Sequence, residues 1–330
     1  MRKWLVAVLA VCFGFACFGV ACKKDTNEKI RVYMPDGAPA LALAYAMHQD
    51  REDDGVYYEV VDAQNIQSYL TYKDEKKNAE FCVLPLNLAS KLVGDGKRYG
   101  LLGTLTHGNL YLLSQNGETY TRENLSLLIG KTVGVVQLKN VPGIFLKVVL
   151  TDLGIEYCEL TSGEAPRADK VNLKAVSPDA VMPTDGIDVF VAPEPAASVK
   201  AEKTALDFAG DLQRLYGGES GYPQAVLVVK KSFLQKNGAF VKSFIEKIKD
   251  GAEWLKTAEI SVACGAVSSH LTKGLQPSLT VANLSREGIL RSNVWFSSAK
   301  ESKAEINTTI EKMIAVGGAA SILNDGFFLE

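Results

Sequence analysis

The sequence predicts an α/β fold built from mainly parallel β-sheets with helices packed on their faces. Segments rich in β-branched residues alternate along the chain with apolar, helix-favouring segments. Strands that alternate with helices normally pair in parallel, and the helices cover the sheet. The length of 330 residues favours two domains or one large one, and 47% hydrophobic residues suffice for a full core.

The start of the chain has the organisation of a bacterial export signal. Two basic residues, Arg2 and Lys3, precede an apolar run over residues 4–21 that ends in small residues. A basic head, an apolar middle and a small-residue end are typical of a signal peptide. We therefore expect residues 1–21 to be removed and the mature chain to be extracytoplasmic, which argues against enzymes that need intracellular substrates.

The cysteine that closes this leader resembles the acylated first residue of a lipoprotein. We expect a lipid on Cys22, which would anchor the chain to the membrane, and a short polar tether over residues 22–29. Gly19 stands where such a signal usually has leucine. Acylation at Cys17, simple secretion and an uncleaved membrane anchor therefore stay open as alternatives.

Charge and cysteine content exclude several other classes. The formal net charge of −2 argues against a nucleic-acid partner, because nucleic acids are bound by basic stripes. Beyond the leader, no apolar stretch in the sequence is long enough to span a bilayer. The spacing of Cys82, Cys158 and Cys264 fits neither a disulfide framework nor a zinc site, so we predict no metal and no cofactor.

Four units of strand, turn and helix follow the tether. In the first, residues 30–34 form a strand, residues 35–39 a turn and residues 40–47 a helix. Pro39 suits the first helical turn, where its missing N–H costs no hydrogen bond. The remaining strands are expected over 81–84, 132–137 and 187–192, and their helices over 86–93, 144–153 and 196–203.

The C-terminal third is predicted to be mainly helical. Residues 240–255 repeat apolar side chains at helical spacing, which indicates a helix packed on the core. A second helix is expected over residues 299–315, and residues 293–296 form either a short strand or an extended turn.

All four predicted turns lie at the carboxyl end of a strand and the amino end of a helix. In open α/β sheets ligands bind at this edge. Helix amino ends also present free N–H groups and a partial positive charge. The four turns are therefore candidate loops of one cleft, although such turns occur in every α/β protein.

Four segments carry a resemblance to a known family, and they are 34–44, 130–135, 191–197 and 221–229. With the leader, they make the chain similar to the solute-binding proteins of ABC importers, closest to the nitrate/sulfonate/taurine and thiamine-precursor group. The resemblance covers most of the mature chain. It implies the two-lobed clamp of type II periplasmic binding proteins, which closes on its ligand.

The family arrangement also implies where the lobes divide. Lobe one would comprise residues 30–110 and 226–330, and lobe two residues 111–223. The two crossing segments would fall near residues 110–113 and 223–226.

The strand ends and the family resemblance together give thirteen candidate ligand-binding residues. They are Asp36, Gly37, Ala38, Pro39, Leu86, Asn87, Gln137, Lys139, Asn140, Pro193, Glu194, Pro195 and Tyr222. Gly37 permits close approach of the backbone to a ligand.

The polar candidates each have a structural alternative that the sequence leaves open. Asp36 either contacts the ligand or stabilises its turn, and Asn87 either contacts the ligand or caps its helix. Lys139 either pairs with an acidic ligand group or is solvated. Glu194 either binds a cationic group or stabilises a helix amino end. Tyr222 either stacks on a planar ligand or packs in the hinge.

The resemblance implies a monomer that captures a small ligand and delivers it to a permease and its ATPase. The 35–39 loop has no Ser, Thr or Arg, which oxyanion sites often use, so we expect an organic ligand such as a heterocyclic vitamin precursor. A sensory or adhesive lipoprotein and a pyrimidine-synthase-like enzyme are the alternatives. Catalytic motifs such as Gly-x-Ser-x-Gly, His-Glu-x-x-His and the phosphate loop are absent from the sequence.

Overall fold

Two six-stranded sheets, each flanked by helices, form the described part of the chain. The computed structural model describes residues 29–50, 54–218 and 220–329. The expected signal peptide, Cys22 and most of the tether lie outside these residues. None of the helices in the described ranges has the length and apolar character that crossing a bilayer requires.

The strands are Ile30–Pro35 (β1), Val56–Val61 (β2), Phe81–Pro85 (β3), Tyr99–Thr106 (β4), Leu110–Ser114 (β5), Thr132–Val136 (β6), Tyr157–Glu159 (β7), Val171–Val176 (β8), Val189–Pro193 (β9), Asp207–Asp211 (β10), Ala225–Lys230 (β11) and Val294–Ser298 (β12). The α-helices are Ala38–Leu41 (α1), Ala44–Gln49 (α2), Leu86–Leu92 (α3), Val141–Asp152 (α4), Ala196–Lys203 (α5), Leu212–Tyr216 (α6), Lys231–Leu234 (α7), Gly238–Thr257 (α8), Ile260–Ser268 (α9), Arg286–Arg291 (α10) and Ala299–Ala315 (α11). Short 3-10 helices cover Ile66–Leu70, Glu75–Lys77, Leu125–Leu128, Pro178–Ala180 and Asp325–Phe327.

The strand directions confirm the predicted α/β class. Sheet one has the order β12-β4-β11-β3-β1-β2 and sheet two the order β10-β5-β9-β6-β8-β7. In sheet one, β1 to β4 share one direction and β11 and β12 run against them. In sheet two, β5 alone among the described strands runs against the other five. The parallel strands bring their carboxyl ends, and the loops that follow them, to one edge of each sheet.

The chain changes sheet twice, close to the expected crossings. It leaves β4 through residues 107–109 to enter β5, and it returns through residues 217–224 to enter β11. The first change thus precedes the expected 110–113, which lie inside β5. At this crossing the ring of His107 is 2% exposed and stacks on Trp295 with centroids 3.9 Å apart. Burial lowers the pKa of His107 to about 4.

Predicted and observed helices differ mainly near their amino ends. The helices over 196–203 and 299–315 have their predicted bounds. The predicted helix over 40–47 is divided into α1 and α2 by a tight turn, in which the Leu43 N–H donates to the carbonyl of Ala40 at 3.1 Å. Helix α4 begins at Val141, with Asn140 as its N-cap and Pro142 in its first turn, as those residue types predict. Its first turn needs Gly143, because a Cβ there would lie 1.8 Å from the carbonyl oxygen of Leu138.

The apolar core is continuous between the two lobes. One cluster of buried side chains joins Tyr99 and Val226 of sheet one to Val135 and Leu173 of sheet two. Helix α11 contributes Ile310 to the same cluster. Cys82, Cys158 and Cys264 are free thiols, and the first and third are buried.

Candidate functional site

A cavity of about 830 Å³ lies where loops from both sheets meet. The loops after β1, β3, β6 and β9 all contribute to its wall, so the four predicted turns share one cleft. Ten of the thirteen candidate residues line it, and they are Asp36, Gly37, Ala38, Pro39, Asn87, Gln137, Asn140, Pro193, Glu194 and Pro195.

Leu86, Lys139 and Tyr222 are not among the residues that line the cavity, and their role as ligand contacts stays a prediction. Leu86 is fully buried in the core. Lys139 points to the surface, where it pairs with Glu159. The ring of Tyr222 is fully buried against Phe145 with centroids 3.7 Å apart, so it packs in the hinge. Helical and turn geometry direct each side chain away from the cleft, which strand-end position alone does not reveal.

The carboxylate of Asp36 holds the first loop in place. Its Oδ1 accepts from the N–H of Gly37 at 2.8 Å, and its Oδ2 accepts from the N–H of Ser278 at 2.7 Å. Gly37 has φ +94°, a conformation that favours glycine. Asp36 therefore stabilises its turn, and it also ties this turn to a distant loop that brings Ser278 into the wall.

Asn87 lines the cavity and carries a buried polar atom without a partner. Its side chain is 9% exposed, and its Oδ1 has no hydrogen-bond partner among the described residues. Helix α3 has Pro85 as its N-cap and no side-chain cap, so Asn87 does not serve as one. The hydroxyl oxygen of Ser278 is likewise buried in the wall without a partner there. Buried polar groups are normally paired, so both atoms point to a missing partner.

Two carboxamides join the crossing segments at the floor of the cavity. Gln224 Nε2 donates to Asn109 Oδ1 at 2.8 Å, and the backbone N–H of Asn109 donates to Gln224 Oε1 at 3.3 Å. Asn109 Nδ2 also donates to the carbonyl of Glu194 at 3.3 Å. The floor is thus fixed between both crossings and the loop after β9.

Glu194 lines the cavity but is already neutralised. Arg291 Nε donates to Glu194 Oε1 at 2.5 Å, and the Ser198 hydroxyl lies 2.7 Å from both carboxylate oxygens. Arg291 Nη2 donates to the same hydroxyl at 2.7 Å. Arg291 belongs to helix α10, which precedes a strand of sheet one, whereas Glu194 follows β9 of sheet two. The pair therefore closes one side of the cleft between the lobes.

Lobe two contributes further carboxamides to the wall. Gln137 has φ +58°, and its carbonyl accepts from the N–H of Asn140 at 2.8 Å. This turn points both exposed side chains into the cavity, at the start of α4.

Several residues that line the cavity were not predicted from the sequence. They are Pro35, Ala63, Gln64, Gln67, Pro85, Leu88, Asn109, Leu110, Val141, Pro142, Ala196, Val199, Lys200, Gln224, Ala225, Ser278 and Asn283. Gln224 lies in one of the segments that carry the family resemblance and was within reach of sequence reasoning. Ser278 and Asn283 follow no strand, so no local pattern marked them.

Carboxamides are the commonest polar side chains of the wall. Among its described residues are eight carboxamides, Gln64, Gln67, Asn87, Asn109, Gln137, Asn140, Gln224 and Asn283, while arginine, histidine and aromatic residues are absent. The single lysine of the wall, Lys200, directs its Nζ to the carbonyl of Asp179 at 3.5 Å. No cluster of three or more His, Cys, Asp or Glu residues that could hold a metal occurs in the described ranges.

Solved structures with the same fold include ABC-transport proteins from several bacteria. The chain is similar to an ABC transporter protein of Parabacteroides distasonis, with 18% identity, a TM-score of 0.67 and coverage of 92% of this chain and 99% of that one. It is also similar to the periplasmic aliphatic sulphonate binding protein SsuA of Escherichia coli, with 12% identity, a TM-score of 0.64 and coverage of 92% of each chain.

The periplasmic nitrate-binding protein NrtA of Synechocystis PCC 6803 has 12% identity and a TM-score of 0.53, with coverage of 89% of this chain and 83% of that one. No protein-family model matches the sequence, and no curated protein matches it either. At these identities the likeness shows a two-lobed periplasmic-binding-protein fold.

Proposed function

We propose that this protein is the extracytoplasmic solute-binding lipoprotein of an ABC importer, which captures a small organic ligand between its lobes. The observation that carries the proposal is the 830 Å³ cavity, which both lobes line and which contains the buried, unpaired Oδ1 of Asn87. A ligand that bonds groups of both lobes favours the closed arrangement, because it has more contacts there.

The cavity chemistry supports binding over catalysis. Its described wall contains no His, Cys or Tyr, and the hydroxyl of Ser278 has no partner that could activate it. A serine nucleophile needs a general base within hydrogen-bond distance. The fold likeness to periplasmic binding proteins agrees with this reading.

The tether and the partners follow from the leader. We propose that Cys22 carries the lipid and that residues 22–29 hold the clamp near the membrane. There a monomer would deliver its ligand to a permease and its ATPase. The proposed division into lobe one, 30–110 and 226–330, and lobe two, 111–223, agrees with the sheet membership of the strands except for Leu110.

Native mass spectrometry tests ligand capture directly. The full-length protein in detergent is incubated with a fractionated bacterial metabolite extract and then measured. We expect one small molecule per chain, which Asn87→Leu loses and the exposed control Gln49→Ala retains. An absence of any retained small molecule across the fractions would contradict the proposal.

A further inference from the structure

Both carboxylates that line the cavity are already hydrogen-bonded within the protein. The four carboxylate oxygens of Asp36 and Glu194 all accept hydrogen bonds from groups of the protein itself. For Asp36 the donors are two backbone N–H groups. For Glu194 they are Arg291 and both the hydroxyl and the N–H of Ser198. A cationic ligand would have to compete with these short internal contacts.

The wall also offers few cationic groups to an anionic ligand. Lys200 is the only basic residue among the described residues that line the cavity. Its ammonium contacts the carbonyl of Asp179, a residue outside the wall. Anion sites usually combine arginines or several backbone donors around the charge. The wall instead presents eight carboxamides.

Two residues of the wall each carry a buried polar atom without a hydrogen-bond partner among the described residues. Asn87 Oδ1 is an acceptor, so it calls for an N–H or O–H donor. The Ser278 hydroxyl both donates and accepts, and it would lie 3.8 Å from a Cβ placed on Gly37. Asn87 belongs to helix α3 and Ser278 to the loop between α9 and α10, so the two groups come from separate segments of lobe one.

We infer that the ligand is an uncharged molecule with a carboxamide- or lactam-type group, which hydrogen-bonds the Asn87 carboxamide of the wall. The inference rests on the proposed function and narrows it to a chemical class. Carboxamide walls suit such a group because a free carboxamide offers a donor and an acceptor, although Asn109, Gln224 and Asn283 already use part of theirs within the protein. A charged analogue of the same size would lose affinity, since its ionic group would lose hydration against a wall of carboxamides and apolar residues.

Matched small probes test the class. We would record the melting temperature of the full-length protein in detergent with nicotinamide, nicotinate and 3-(aminomethyl)pyridine, and with benzamide, benzoate and benzylamine. A molecule that binds only the native state raises the melting temperature. We expect the two amides to raise it and the acids and amines to leave it unchanged. A larger shift by an acid or an amine, or no shift by either amide, would overturn the inference.

Two variants link the shift to the unpaired atoms. Asn87→Leu and Ser278→Ala are expected to raise the amide concentration needed for the same shift by about tenfold. Without probe, Asn87→Leu should melt no lower than the parent, because it removes an unpaired buried acceptor. Gln49→Ala should behave as the parent. An amide shift that survives in both cavity variants would also overturn the inference.

The two proposals fail in different ways. A charged probe whose shift is lost in Asn87→Leu would overturn the ligand class and leave ligand capture standing. Capture itself is contradicted by the native mass spectrum described above.

Discussion

Arg291 and Glu194 form an ion pair across the cleft, with Nε donating to Oε1 at 2.5 Å. The Glu194 side chain is fully buried, whereas that of Arg291 is 31% exposed. Arg291 also contacts two aromatic residues of lobe two. Its guanidinium lies 4.6 Å from the ring centroid of Phe208, and its carbonyl accepts from the hydroxyl of Tyr111 at 2.9 Å.

We expect Arg291→Met to lower the free energy of unfolding by about 3 kcal/mol, because it leaves a buried carboxylate without its cation. The double variant Arg291→Met/Glu194→Gln should recover most of this loss. Urea unfolding measures both. Arg214→Met, which removes a surface pair with an 87% exposed arginine, is the control and should change less than about 1 kcal/mol. A loss no larger than this control's would contradict the role of the pair.

Asp36 is expected to act on the site through its loop. Asp36→Ala removes the acceptor of the Gly37 and Ser278 N–H groups, and should cost about 2 kcal/mol of stability. Calorimetry with a bound amide should show weaker binding, because Ser278 loses its anchor. Unchanged affinity together with unchanged stability would show that the link between these loops is unimportant.

Tyr222 tests the distinction between hinge packing and ligand contact. Its hydroxyl is buried without a described partner, and burial raises its pKa. Tyr222→Phe should therefore leave the melting temperature equal or slightly higher, and it should not change amide binding. A loss of amide binding in this variant would instead indicate that Tyr222 contacts the ligand.

His107 predicts a pH dependence of stability. Its pKa is about 4 in the folded protein, below the value of about 6.5 for an exposed histidine, so the unfolded chain binds its proton first. The stability that neutral His107 contributes is complete above about pH 6.5 and is lost as the pH falls toward 4.

Between pH 7 and pH 5 the protonation of His107 in the unfolded chain should lower the free energy of unfolding by about 2 kcal/mol. Urea unfolding gives the free energy of unfolding of the parent and of His107→Gln at both pH values. The contribution of His107 is the amount by which the parent loses more stability than the variant between pH 7 and pH 5. Identical pH dependence in parent and variant would contradict the prediction.

The mature N-terminus tests the proposed anchor. Mass spectrometry of the membrane-extracted protein should show a chain that begins at Cys22 and carries acyl groups. Cys22→Ser should abolish the lipid and release the protein from the membrane fraction. A chain that is uncut, or that begins with an unmodified residue, would refute the tether.

Local sequence patterns were sufficient to predict the strands and helices, but they predicted only part of the residues that line the cavity. Strands β1, β3, β6 and β9 could be predicted because alternation and strand-ending turns are encoded within a few residues. Asn87 and Gln137 were found for the same reason, since they follow those strands. Lys139 lies in the same turn, but its ammonium pairs with Glu159 at the surface, and a strand-end position does not encode that partner.

Long-range contacts account for what was missed. Ser278 reaches the cavity through a hydrogen bond to Asp36, which is 242 residues away in sequence. The neutralisation of Glu194 likewise depends on Arg291, which is 97 residues away. No local periodicity encodes such pairs, so the partners of the two cavity carboxylates could be identified only in the folded chain.

A crystal structure with the captured molecule tests ligand binding between the lobes most directly. The account predicts that the ligand lies in the 830 Å³ cavity and bonds Asn87 of lobe one and a carboxamide of lobe two, Gln137 or Asn140. A ligand bound elsewhere, or one that contacts a single lobe only, would contradict it.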